Sequence, residues 1–123
     1  GCAQLENLDK YVASKRKVAA EYIEHFKNVD GIDFFVEPEN TFSNYWLSAV
    51  VLKDKESQLD FLQQTNDNGV MTRPIWELMN HLPMFENCEN DGLKNTIWFA
   101  DRVVNIPSSV RTEDLYSIKI NKI

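Results

Sequence analysis

The stretch Met71-Thr72-Arg73-Pro74-Ile75-Trp76-Glu77-Leu78-Met79-Asn80-His81 gathers the side chains of this sequence best suited to binding chemistry. Arg73 is the sole Lys or Arg between Lys55 and Lys94. Its planar fork matches carboxylate and phosphate oxygens two at a time. Two readings are open from composition: a surface guanidinium paired with a carboxylate such as Glu77, or a clamp on an anionic ligand. Trp76 offers either a stacking face or core volume. Asn80 suits a ligand hydroxyl or a turn. His81 has a structural or exposed place as its ordinary role and ligand contact as the alternative.

Other chemistries lack their parts. The glycines at 1, 31, 69 and 92 are too dispersed for a phosphate-cradling loop. Ser108 and Ser109 follow Pro107 with no neighbouring His, so no nucleophile elbow is formed. Glu37 and Glu39 flank Pro38 in an expected turn, where solvation is the default. Cys2 and Cys88 read as reduced thiols, and with His25 and His81 they do not supply the four closely spaced ligands of a zinc site. No metal is expected.

The elements that must position the 71–81 stretch are legible from periodicity. Leu5, Leu8, Tyr11, Val12, Val18, Ala19, Tyr22, Ile23 and Phe26 recur at three- and four-residue steps, which predicts one long amphipathic helix ending between Asn28 and Gly31. Its other face, with Lys10, Lys15, Arg16, Lys17, Glu21 and Glu24, reads as solvated. Residues 32–36 and 45–52 predict strands, the second apolar enough to be covered on both faces. Asp54 predicts a helix cap for residues 55–66, with Leu59 and Leu62 turned inward and Gly69 near the stop. Residues 70–72 predict a strand ended by Pro74. Residues 74–92 read as an irregular, strongly apolar loop packed against its own domain or a partner. A helix over 93–102, a strand over 103–106, a short turn capped by Thr112 and an edge strand over 116–123 complete the order. The class is α+β: a small mixed sheet packed with helices, with residues 1–30 suiting a long connecting helix as well as a core helix and 31–123 carrying the sheet.

Composition narrows the partners. The 123 residues make one domain's length, with 13 Lys and Arg against 19 Asp and Glu and a net charge of −6. Residues 1–30 are balanced, so the whole excess lies after residue 30. An acidic chain of pI 4.8 is a poor phosphate neutraliser, which argues against nucleic acid as a partner. No apolar run reaches the roughly 18 residues of a membrane span.

Three stretches together resemble one family. Gly1-Cys2-Ala3-Gln4-Leu5-Glu6-Asn7-Leu8 is similar to the G-x-x-Q-L-x-x-L opening of a long helix in the DegT/DnrJ/EryC1/StrS family of pyridoxal-phosphate-dependent sugar aminotransferases. Asn68-Gly69-Val70-Met71-Thr72-Arg73-Pro74-Ile75-Trp76-Glu77-Leu78-Met79-Asn80, continued by Leu82-Pro83-Met84-Phe85, resembles its substrate-facing stretch. Val104-Asn105-Ile106-Pro107-Ser108-Ser109 resembles its closing strand and turn. The form of the Arg73–Asn80 stretch is most similar to the subgroup acting on UDP-linked 4-keto-6-deoxy-N-acetylhexosamines. Many members carry Tyr where Trp76 stands and His where Asn80 stands.

The resemblance implies the C-terminal domain of a fold type I aminotransferase that moves an amino group from glutamate to a nucleotide-linked sugar for cell-surface polysaccharide or nonulosonic acid synthesis. It implies a bacterial, cytoplasmic, homodimeric parent whose pyridoxal phosphate, Schiff-base lysine and phosphate cup lie in a large domain upstream of Gly1. The fragment is then expected to hold no cofactor and to be inactive alone. Within it, Arg73, Trp76, Asn80 and His81 become the expected substrate contacts, with no catalytic residue. The rival expectation is a stand-alone sugar-nucleotide or protein-binding module.

Overall fold

The computed structural model describes residues 1–115. Its elements run α1 (Cys2–Leu5), α2 (Leu8–Phe26), β1 (Ile32–Phe34), β2 (Ser48–Leu52), α3 (Lys55–Asp67), β3 (Arg73–Pro74), a 3-10 turn (Met79–His81), α4 (Lys94–Ala100), β4 (Val103–Ile106) and α5 (Thr112–Leu115). The strand expected over 116–123 lies outside the described residues.

The four strands form one sheet in the order β1-β2-β4-β3. The α+β class holds, but every pairing among the described strands is antiparallel where a mixed sheet was expected. Ser48, Val50 and Leu52 of β2 are buried while Ala49 and Val51 are half-buried, the period-two signature of a strand covered well on one face. Val50, Leu52, Val104 and Ile106 form the core, closed by Tyr22 and Phe26 of α2 and by Phe61 and Leu62 of α3. The opposite sheet face is only partly covered. Phe35 and Leu47 remain exposed there, so the expectation that β2 is enclosed on both sides is not met.

Local rules explain most boundaries. The expected single N-terminal helix breaks at Asn7, whose side chain donates to the Ala3 carbonyl and competes with the helical ladder. Asp54 caps α3 as expected, accepting from the Ser57 N–H at 2.9 Å. Past α3, Gly69 takes a positive φ of 77°, and the Val70 N–H reaches back to the Thr65 carbonyl at 2.8 Å. That closure, with Asn66 and Thr65 holding Thr72, occupies residues 70–72 and delays the strand to Arg73. Pro74 is tolerated because β3 is an edge.

The inward face of α3 differs from expectation. Leu62 packs against the core, but Leu59 is 54% exposed and the fully buried position is Gln58. The Gln58 amide donates to the carbonyls of Ala100 and Val103, both at 2.9 Å, and accepts from the Lys55 ammonium at 2.9 Å. A buried polar group is kept where its partners satisfy it. Here the glutamine ties α3 to the α4–β4 junction.

Candidate functional site

On the polar face of α2, Lys10 and Glu24 are exposed as expected, while other residues are tied to distant loops. Ser14 accepts from the Arg111 N–H and donates to Asp114, which also pairs with Lys17 at 2.9 Å. Arg111 in turn grips Glu21 with both guanidinium nitrogens. Arg16 forms a bidentate pair with Glu37 at 2.8 and 2.9 Å and donates to the Ser43 carbonyl. The Phe42 ring stacks on the same guanidinium, 4.1 Å from its carbon to the ring centre. Glu37 is therefore no solvated turn residue. The Arg16 hydrogen bonds, then the Ser43 N–H, lower its carboxyl from 4.5 to about 2.

Lys15 is tied in the same way. Its ammonium donates to the carbonyls of Ser108 at 2.6 Å and Trp46 at 3.1 Å, and burial pulls its pKa below the usual lysine value. Through these contacts one helix fixes the loops at 37–46 and 108–114. Sequence periodicity could not reveal this, because every partner is at least 21 positions away.

The four residues expected to contact substrate lie along one strand-and-loop segment, and no hydrogen bond or ion pair joins any two of them among the described residues. Arg73 opens β3 opposite Asn105, is exposed, and rests a nitrogen 3.5 Å from the Met71 sulfur. It makes no ion pair with a described carboxylate. Glu77, its expected surface partner, is instead 2.5 Å from Nδ1 of His81, and that contact lowers the Glu77 carboxyl pKa. Trp76 is 70% exposed and stacks on Trp46, with ring centres 6.5 Å apart and planes inclined by 28°. Trp46 is itself 63% exposed. Asn80 borders a cavity of about 390 Å³ with Leu78, Phe85, Cys88, Leu93 and Thr96, and its carbonyl oxygen is buried without a donor.

Trp46, the ring neighbour of Trp76, is a residue that sequence reasoning did not bring to this segment. It reads there as part of a strand, yet it sits just before β2 in a turn. The one local signal is Asn44, whose side-chain oxygen accepts from the Trp46 N–H at 2.9 Å.

Pyridoxal phosphate requires an amine for the aldehyde, a carboxylate for the ring nitrogen and a cup of donors for the phosphate. Two described lysines border cavities. The cavity at Lys15 holds no carboxylate, and its amine is committed to two carbonyls. The cavity at Lys27 carries Asp30 and Asp33 at the carbonyl end of α2, which repels a phosphate. Neither of these two cavities brings the three parts together. Among them no group of three or more His, Cys, Asp or Glu could hold a metal, and no helix is long and apolar enough to cross a membrane.

The described residues thus form a small antiparallel sheet backed by two helices, with an exposed arginine on its edge strand and an exposed, stacked indole pair. The sequence profile of the DegT/DnrJ/EryC1/StrS aminotransferase family matches residues 1–120, and the chain belongs to that family. It is 31% identical over 86 residues to EpsN of Bacillus subtilis (strain 168), covering 70% of this chain and 22% of that protein. It is 28% identical over 114 residues to GDP-perosamine synthase of Vibrio cholerae, covering 88% of this chain and 30% of that enzyme. Its fold superposes on the aminotransferase TlmJ of Streptoalloteichus hindustanus with a TM-score of 0.80 at 20% identity, over 94% of this chain and 31% of TlmJ. The chain thus spans less than a third of the length of these relatives.

Proposed function

We propose that this chain is the C-terminal, substrate-shaping domain of a pyridoxal-phosphate-dependent aminotransferase that transfers an amino group from glutamate to a nucleotide-linked 4-keto-6-deoxy sugar. Residues 1–30 form the connecting helix and 31–123 the small domain, in a cytoplasmic, homodimeric parent whose cofactor is held outside this chain. The family match supports the reaction class, and a relative acting on a GDP-linked sugar supports the substrate class. The observation that carries the site is Arg73: an exposed guanidinium on an edge strand with no ion pair to a described carboxylate, three residues from an exposed indole. A fork without an anionic partner among the described residues is available to a diphosphate. Trp76 supplies a stacking face, and Asn80 and His81 lie on the same segment for sugar hydroxyls.

The test compares the polypeptide encoded by the whole reading frame with the isolated chain. With pyridoxal phosphate, glutamate and a UDP-linked 4-keto-6-deoxy-N-acetylhexosamine, the longer polypeptide is expected to produce the amino sugar and the isolated chain is not. Amino transfer by the isolated chain, or an internal aldimine absorbance when it is given the cofactor, overturns the reading.

A further inference from the structure

Trp46 combines a pinned backbone with a free ring. Its N–H donates to the Asn44 side chain at 2.9 Å. Its carbonyl accepts from the Lys15 ammonium at 3.1 Å and from the Ser108 hydroxyl at 3.2 Å. The preceding residue, Tyr45, is held at a positive φ of 45°, a conformation that a non-glycine residue keeps only where its surroundings impose it. The surroundings are visible: the Tyr45 N–H donates to the Ser43 hydroxyl, and its own hydroxyl accepts from the Glu37 N–H. All this order delivers an indole that stays 63% exposed, stacked on Trp76. Core packing does not account for it, because the ring is not buried.

We propose that Lys15 is a positioning residue for nucleotide-sugar recognition, acting through the Trp46 carbonyl to hold the Trp46–Trp76 pair as the stacking surface for the planar base. The proposal rests on the reading of Arg73 as the diphosphate contact and adds to it a residue from α2 and a second aromatic. Stacking of a base on an aromatic ring is sequence-tolerant and needs a fixed plane, which a tethered indole provides. Lys15 suits the tether because it has no carboxylate partner among the described residues: both of its hydrogen bonds there go to backbone carbonyls, and burial lowers its pKa as the amine leaves water. The neighbouring Lys17 serves a different purpose, pairing with Asp114 and making no hydrogen bond to Trp46.

The experiment, on the polypeptide encoded by the whole reading frame, reads the exciton circular-dichroism couplet of the indole pair, identified as the signal lost in Trp76→Phe, together with calorimetric titration of UDP-N-acetylglucosamine. Lys15→Met is expected to abolish most of the couplet and weaken ligand binding about tenfold. Lys17→Met is expected to leave both unchanged while lowering thermal stability. Ser108→Ala, which removes one donor and keeps the ammonium, is expected to give a smaller loss of both and carries the test if Lys15→Met fails to fold. A couplet unchanged in Lys15→Met or Ser108→Ala, or equal effects of Lys15→Met and Lys17→Met, overturns the proposal. If the wild-type polypeptide shows no heat with the ligand, the substrate reading fails by itself, and the couplet still decides whether Lys15 sets the indole pair.

Discussion

Glu37 shows how far a residue's surroundings can depart from its composition. Beside Pro38 it looks like a turn carboxylate, yet Arg16, itself stacked on Phe42, and Ser43 hold it in a latch between α2 and the loop before β2. Its carboxyl is lowered from 4.5 to about 2, so its contribution to stability is complete above 4.5 and is lost as pH falls through about 2. Glu21 and Asp114 are shifted in the same direction by Arg111 and Lys17, so they add to the same acid sensitivity. Urea unfolding midpoints measured across this window should fall for the wild type and fall less for Glu37→Gln, with the two proteins converging at the acid end. Parallel pH dependences would mean that the latch does not form. Arg73 and Trp76 are the opposite case. Composition leaves Arg73 open between a surface pair with Glu77 and an anion clamp, and Trp76 between core and stacking; the family resemblance makes both expected substrate contacts. The structure leaves Arg73 exposed without a described carboxylate and gives Trp76 an aromatic neighbour.

At the scale of elements, periodicity located the helices and strands well and their partners poorly. The amphipathic stripe of α2, the cap of α3 and strand β4 follow from side-chain spacing and one capping carboxylate. Three features were hidden. The delayed start of β3 depends on Thr65 and Asn66 claiming Thr72, a contact between an element's end and the loop beyond it. The antiparallel pairing of β2 with β4 depends on topology, which strand composition does not encode. The burial of Gln58 depends on two carbonyls at the α4–β4 junction, more than 40 positions away. Gln58→Leu should therefore destabilise the chain despite its greater hydrophobicity, because leaving buried carbonyls without donors costs about 1–3 kcal/mol each. Chemical denaturation of the variant checks this. A stability equal to wild type would show that water or a shifted neighbour replaces the amide.

The whole molecule carries more apolar surface than its core needs. Phe35 and Leu47 on the open sheet face, Trp46 and Trp76 as a stacked pair, and Met71, Met79 and Met84 around the 71–85 segment are all exposed among the described residues. Patches of this kind mark surfaces used for binding. The proposed substrate-shaping role would put part of this surface to use. On that account the acidic remainder of the domain matters too. It leaves Arg73 as the sole Lys or Arg between Lys55 and Lys94, so the anionic part of a ligand has one place on this segment to go.

The most direct test of the substrate-shaping role is a steady-state comparison of wild type and Arg73→Ala in the polypeptide encoded by the whole reading frame. Loss of a charge-assisted contact to a diphosphate should raise KM for the nucleotide sugar about tenfold or more, leaving KM for glutamate unchanged. An Arg73→Ala enzyme with wild-type KM for the nucleotide sugar would contradict the account.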